Sequence, residues 1–305
     1  MTKQTSNGLL QSFSDAVADM AERVSPSVVR VGDGYRQGSG MVWSEDGLIV
    51  TADHVVGRAE ALEVTLRDGT TLEARVVGRD PDNDLAVLKV DSAGLVPIET
   101  TDGRGLRPGE LVLAFANLTG KQPSVTSGII TSPSRSIRGW WGVMMEDAVI
   151  TDAQLNPGYS GGPLVDASGS LVGMNVACFS NRGVAVPVQI LKERVLKLSA
   201  DGRIRRAYLG IVAEPVALPI EISSRPDVGQ DTALLVRSVE ASTPAKTAGI
   251  AIGDVLLRLS GESLTDITDL HSLLNEGVIG KTVPLTVLRG DRVSELAVTP
   301  REAEQ

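Results

Sequence analysis

The chain runs to 305 residues, enough for two domains with cores of their own, and its 42% hydrophobic and 22% charged residues exclude a disordered or collagen-like polymer. A formal charge of −9 opposes long-range attraction to phosphate backbones and anionic lipid. No nucleic acid partner is expected, no membrane insertion either since no 18 apolar residues run together, and proteins or peptides are the favoured partners.

Leu10, Phe13, Val17, Met20 and Val24 recur at three- and four-residue steps among Asp15, Asp19 and Glu22. That spacing predicts an amphipathic helix over 9–23 whose apolar stripe needs a cover. Ser25-Pro26 stops it. From Ser27 to Pro187 the pattern changes to short β-branched runs parted by turns at Asp46-Gly47, Asp68-Gly69 and Ser168-Gly169. The 32 glycines suit such tight turns. Strands are predicted at 62–66, 72–77, 84–90, 111–115, 127–131 and 171–179, and the whole stretch reads as two six-stranded β-barrels over 27–100 and 108–188. Cys178, the single cysteine, falls in the last of these runs and reads as a buried small hydrophobe without a catalytic role. A helix from Val188 leads into the basic connector Asp201-Gly202-Arg203. Beyond it, strands at 234–239, 255–259 and 283–288 and a helix at 267–274 make a second, smaller α+β unit.

Chemistry concentrates at three places. Asn156-Pro157-Gly158-Tyr159-Ser160-Gly161-Gly162 sets a serine in a glycine-rich turn where the amides of Gly158 and Ser160 can face a developing oxyanion. A serine hydroxyl is a weak nucleophile and needs an imidazole, which in turn needs a carboxylate to hold its tautomer. His54, at the end of the apolar run 48–52, is the one histidine in the barrel region. Of Asp80, Asp82 and Asp84, the last abuts an apolar strand and is expected to be drawn toward burial, while the other two read as solvated turn residues.

The order His, Asp, Ser, carried by Thr51-Ala52-Asp53-His54-Val55-Val56, Asn83-Asp84-Leu85-Ala86-Val87-Leu88 and the serine turn, resembles the HtrA-type, DegP-like serine proteases of the chymotrypsin-like superfamily. Val125-Thr126-Ser127-Gly128-Ile129-Ile130 and Gly183-Val184-Ala185-Val186-Pro187 are similar to that family's barrel signatures. Tyr208-Leu209-Gly210-Ile211, the run 244–250 and Gly253-Asp254-Val255-Leu256 resemble its PDZ domain. Three departures stand out: Tyr159 and Asp53 where the family usually carries asparagine and a neutral residue, and Ala116-Asn117-Leu118-Thr119 in place of a glycine-asparagine-proline turn.

The resemblance implies a mainly β fold: an N-terminal helix over 1–24, a trypsin-like protease domain over 25–200 built as a chymotrypsin-like double six-stranded β-barrel, and an α+β PDZ domain over 207–302. It implies a serine endopeptidase of unfolded or misfolded proteins, with His54, Asp84 and Ser160 catalytic and the Gly158 and Ser160 amides as oxyanion hole. Leu155, Asn175 and Val176 are expected to line a specificity pocket, and Tyr208, Leu209, Gly210 and Ile211 to hold a peptide C-terminus. His271 is a further candidate for that groove, and Trp140-Trp141 for a contact with a partner. A homotrimer or larger homo-oligomer is implied, and neither metal nor organic cofactor is required. The alternative is a catalytically weak, chaperone-like peptide-binding scaffold; a non-proteolytic esterase is disfavoured because its histidine would come last in the chain. Neither end reads as a leader peptide, so the sequence as written predicts a cytoplasmic protein, or an extracytoplasmic one if a leader has been removed.

Overall fold

The change of period at Ser25-Pro26 is a structural boundary: helix α1 (Lys3–Val24) ends there and a single 3₁₀ turn (Ser25–Ser27) leads into the first strand. In a computed structural model of the chain the described residues are 3–32, 37–100, 105–138, 144–176 and 183–303. Trp140, Trp141 and Cys178 lie outside them. The chain divides into two units, Met1–Ile204 and Arg205–Gln305.

In the first unit β1 (Val28–Gly32), β2 (Gln37–Val42), β3 (Leu48–Thr51), β4 (Ala61–Thr65), β5 (Thr71–Asp80) and β6 (Leu85–Val90) close a barrel in the order β1-β2-β3-β6-β5-β4, with a short helix α2 (Asp53–Val56) after β3. A second barrel, of β7 (Leu111–Ala116), β8 (Ser124–Arg138), β9 (Met144–Thr151), β10 (Pro163–Asp166), β11 (Leu171–Val176) and β12 (Gly183–Pro187), closes in the order β7-β8-β9-β12-β11-β10. The two windings match strand for strand although the sequence shows no repeat, because a barrel asks only for apolar residues at alternate positions and turns at intervals. Closure also leaves no strand edge exposed. One apolar core runs through both, from Val29 and Leu88 to Phe115 and Met174. Helix α3 (Val188–Asp201) adds Val188, Leu191, Val195 and Leu198 to it, a stripe at three- and four-residue steps, and stops on left-handed Gly202, whose amide returns to the Leu198 carbonyl.

Helix α1 is longer than its spacing predicts, and its cover differs along its length. Met20 and Val24 are buried in the barrel core, with Val17 and Ala21 packed on it, and Arg23 reaches the Ser168 carbonyl; Leu9, Leu10 and Phe13 stay exposed. The cover that the stripe needs is thus supplied by its own barrel over the C-terminal half of the helix.

The second unit contains β13 (Ala207–Tyr208), β14 (Ile211–Ala217), α4 (Ile220–Ser223), β15 (Thr232–Val239), α5 (Pro244–Thr247), β16 (Val255–Leu259), β17 (Glu262–Ser263), α6 (Ile267–Leu273), β18 (Val283–Arg289), β19 (Arg292–Val298) and β20 (Arg301–Glu302). The main sheet runs β14-β15-β16-β18-β19, so β14 is an edge strand. The unit has a core of its own around Leu209, Leu234, Leu256, Leu270, Leu285 and Val298. Asp266 and Asp269 form a capping box that starts α6 where the sequence places it.

Candidate active site

The segment after β3 turns at once into α2, and the Asp53 amide donates to the Asp84 carbonyl at 3.0 Å, so the histidine turn is tied to the aspartate turn along the backbone. The His54 amide donates to Asp84 Oδ1 at 2.9 Å, and His54 Nδ1 lies 2.7 Å from Oδ2 and 2.9 Å from Oδ1. A carboxylate only accepts, so the imidazole proton sits on Nδ1 and Nε2 is the basic nitrogen. The Asp84 side chain is 8% exposed against 26% for His54, a buried carboxylate with the imidazole between it and solvent. Asp84 itself is left-handed, at φ 50 and ψ 45, between the 3₁₀ turn Pro81–Asn83 and β6. Asp80 departs from the expected solvated turn residue: it is 1% exposed, accepting from Asn83 Nδ2 at 2.7 Å and facing Arg194 of α3 at 3.5 Å.

Ser160, 4% exposed, sits between two glycines of positive φ, Gly158 at 94 and Gly161 at 86. The turn is shaped by its own amides: Tyr159 N–H donates to the Asn156 carbonyl and Gly162 N–H to the Tyr159 carbonyl. Asn175 on β11 brackets it, accepting from the Gly161 amide at 2.9 Å and donating to the Gly162 carbonyl at 2.8 Å. A side chain at Gly161 would collide with the Ser39 carbonyl, Thr51 Oγ1 and the Ala52 amide, so the residue after the serine is packed onto the strand end that leads to His54.

Ser39, which the sequence reading passed over, joins these parts. Its amide donates to the Ser160 carbonyl at 3.0 Å, its hydroxyl donates to the Gly158 carbonyl at 2.7 Å and accepts from the Asn117 amide at 2.8 Å, and its carbonyl accepts from Thr51 Oγ1 at 2.7 Å. One buried residue of β2 thus ties the serine turn of the second barrel to the strand before His54 in the first. The available signal was Gly38-Ser39-Gly40 inside a strand: a side chain at Gly38 would run into Val55, beside His54, and the Ser160 carbonyl. Asn117 holds the adjoining turn, donating to the Val28 carbonyl at 3.2 Å and accepting from the Gly120 amide at 2.9 Å.

Of the residues expected at a specificity pocket, Leu155 is half-buried beside Tyr159 and Ala153, Val176 is 3% exposed, and Asn175 is wholly buried with its side-chain amide donating to the Pro163 carbonyl at 3.0 Å. Burial pushes the Tyr159 hydroxyl above its ordinary range, against a hydrogen bond to Thr126. Among the described residues no group of three or more His, Cys, Asp or Glu gathers to hold a metal.

In the second unit Tyr208, Leu209, Gly210 and Ile211 run into the edge strand β14. Gly210, at φ 83, abuts the Thr243 side chain, and its carbonyl accepts from the Glu240 amide at 2.9 Å. Tyr208 donates to Glu240 at 2.5 Å, which raises its phenol above the usual range, and Arg301 lies 5.2 Å from the centre of its ring. Leu209 is buried, Ile211 packs on the core, and α6 lies against β14; His271 of α6 is exposed.

Two family models match: trypsin-like peptidase domain over residues 38–174 and PDZ domain over 207–299. A protein of Brucella suis named as a probable periplasmic DegP-like serine endoprotease is 36% identical over 271 residues, covering 86% of this chain and 52% of that relative, so the chain spans about half its length. A serine endoprotease structure from Yersinia pestis superposes with a TM-score of 0.76 at 31% identity, covering 94% of this chain and 98% of that one. The HtrA-type protease AlgW, solved with a decapeptide, gives 0.79 at 29% identity over 94% and 99% of the two chains.

Proposed function

This chain belongs to the HtrA-type serine proteases and carries a PDZ domain, and on that premise we propose that it is a serine endopeptidase of unfolded or misfolded proteins in protein quality control. The observation that carries the reading is the Asp84–His54 pair together with a turn whose Ser160 carbonyl is tied, through Ser39, to Thr51 at the end of the strand that leads to His54.

In the proposed reaction Ser160 Oγ attacks the scissile carbonyl carbon while His54 Nε2 takes the hydroxyl proton, and Asp84 holds the imidazole through Nδ1. The amides of Gly158 and Ser160 receive the oxyanion; when the tetrahedral intermediate collapses, His54 returns its proton to the leaving amine. Water then releases the acyl group by the same steps reversed. Leu155, Asn175 and Val176 are assigned to a specificity pocket that takes small or medium aliphatic side chains; the apolar character of Leu155 and Val176 supports that preference.

The division proposed is a catalytic domain over 25–200, a peptide-binding domain over 207–302, and an assembly role for the helix in 1–24. Tyr208, Leu209, Gly210 and Ile211 are assigned to a peptide C-terminus, added as a strand to the open edge of β14. The exposed Leu9, Leu10 and Phe13 support a homotrimer or larger assembly. The cytoplasmic expectation finds no support in the Brucella relative's name, which says periplasmic, and an extracytoplasmic site of action is proposed; among the described residues no helix is long and apolar enough to cross a membrane. The scaffold alternative has no observation of its own to favour it.

Digestion of denatured casein tests the reading. The chain cuts it, mainly after aliphatic residues, and Ser160→Ala does not; casein left intact by the unaltered protein, or cuts concentrated after Lys and Arg, would contradict the activity or the pocket respectively.

A further inference from the structure

Asp53 is a charged residue, 8% exposed, immediately before His54. Its carboxylate accepts two bonds from one guanidinium, Arg79 Nε to Oδ1 at 2.5 Å and Nη2 to Oδ2 at 2.9 Å, the forked geometry in which arginine holds a carboxylate most firmly. Its backbone is occupied as well: the amide donates to the Asp84 carbonyl and the carbonyl accepts from the Gly57 amide at 2.9 Å. A helix of four residues has almost no stability of its own, so the orientation of its imidazole depends on such ties. Arg79 is a firm anchor, since it lies on β5 opposite Ala86 of β6 and its backbone also bridges to Arg203.

We propose that Asp53 and Arg79 are positioning residues for His54: the fork holds the four-residue turn that carries the imidazole against Asp84, and Arg79 cancels the charge Asp53 sets beside the base. The inference rests on the assignment of His54 as general base. Other charged groups lie on the surrounding elements: Glu73 and Arg75 are on β5 with Arg79, Arg58 follows α2, and Arg203 bridges to Arg79 through its backbone. Asp80 of β5 faces Asn83 and Arg194 of α3; Asp82 precedes Asp84 in the same turn; Arg30 of β1 points to Thr65; and Lys89 of β6 binds Asp46.

The sign of each charge change follows. With Arg79 gone, the unpaired Asp53 carboxylate favours the imidazolium, the base gains its proton at higher pH, and the acid limb of kcat/KM moves upward. With Asp53 neutral, the unpaired Arg79 disfavours the imidazolium and the limb moves downward. Removing both charges returns it to its place.

The test is kcat/KM against pH for the full chain and for R79Q, D53N, the double variant and R79K, with enzyme concentration set by active-site titration. Because Arg79 is a third exposed, the expected displacement is about half a pH unit, about a threefold change on the acid side, in opposite directions for R79Q and D53N and absent in the double variant. R79K keeps the charge without the fork, so its limb stays in place while kcat falls. A limb that stays put in both R79Q and D53N overturns the proposal and leaves the pair a purely structural role; if R79Q does not fold, the near-isosteric D53N decides alone. H54A separates the two levels: activity retained in H54A overturns the assignment of the base itself, whereas a dead H54A with unmoved limbs in the other variants overturns only the positioning role.

Discussion

The residues that matter most at the active site are those whose backbone has no alternative. Gly161 combines φ 86 with contacts on every side of the place a Cβ would occupy, so Gly161→Ala brings left-handed strain of about 1–3 kcal/mol and a collision with fixed backbone together. Loss of both activity and several degrees of melting temperature is expected; a normal melting curve with full casein cleavage would show that the turn is not the rigid support described. At this scale the burial of Asp84 beside an apolar strand and its pairing with His54, which follows another, agree with the sequence reading, and Ser160 stands in the glycine-rich turn the sequence marked. Ser39 and the Asp53–Arg79 fork were not legible there, because their roles arise from strands far apart in sequence that closure of the barrel brings together, and Asp80 misled because a turn aspartate buried by Arg194 looks the same in sequence as one in water.

At the scale of elements, helix α1 carries two unlike halves. Met20 and Val24 are buried, each contributing about 1.5–3 kcal/mol to the barrel domain, while Leu9, Leu10 and Phe13 are left in solvent. Removing residues 1–14 should therefore leave the fold and its melting curve intact while lowering the assembled mass measured by light scattering; an unchanged mass would move the assembly surface elsewhere. The apolar period made the helix plain from sequence, but period alone cannot say which turns meet a neighbour in their own chain. The edge strand β14 poses a comparable question of occupancy. If the turn before it receives a carboxylate, a peptide with an apolar last residue binds at about micromolar affinity and its amidated form markedly more weakly. Equal affinities would assign the groove to internal segments. Strand edges are set by partner strands, so the sequence pointed to the Tyr208–Ile211 loop by resemblance and not by any periodicity of its own.

The molecule as a whole has two units with separate cores, and the second carries an ion pair that makes its stability sensitive to acid. In the second unit, burial tends to raise the Asp254 carboxyl, but the Arg289 side chain, the Ala251 amide and the arginine charge together hold it below its ordinary value of 3.8. A carboxyl depressed in the folded state contributes stability that is complete above its unfolded value and is lost as pH falls through the folded one. The melting temperature of a fragment spanning residues 205–305 should thus fall below about pH 4 and Asp254→Asn should blunt that fall; parallel acid curves for the two would remove this pair from the account. The double-barrel architecture was readable because short β-branched runs recur at intervals, three of their connections being the turns Asp46-Gly47, Asp68-Gly69 and Ser168-Gly169, whereas the shared winding of the barrels is a property of pairing order, which no local stretch of sequence contains. The central claim, that Ser160 is a nucleophile activated by His54 and Asp84, is tested most directly by reacting the whole chain with a serine-directed phosphonate and mapping the adduct by mass spectrometry. One adduct per chain on Ser160, absent in Ser160→Ala and strongly slowed in His54→Ala, is the predicted result; labelling that persists in Ser160→Ala, or that His54→Ala leaves at full rate, would contradict it.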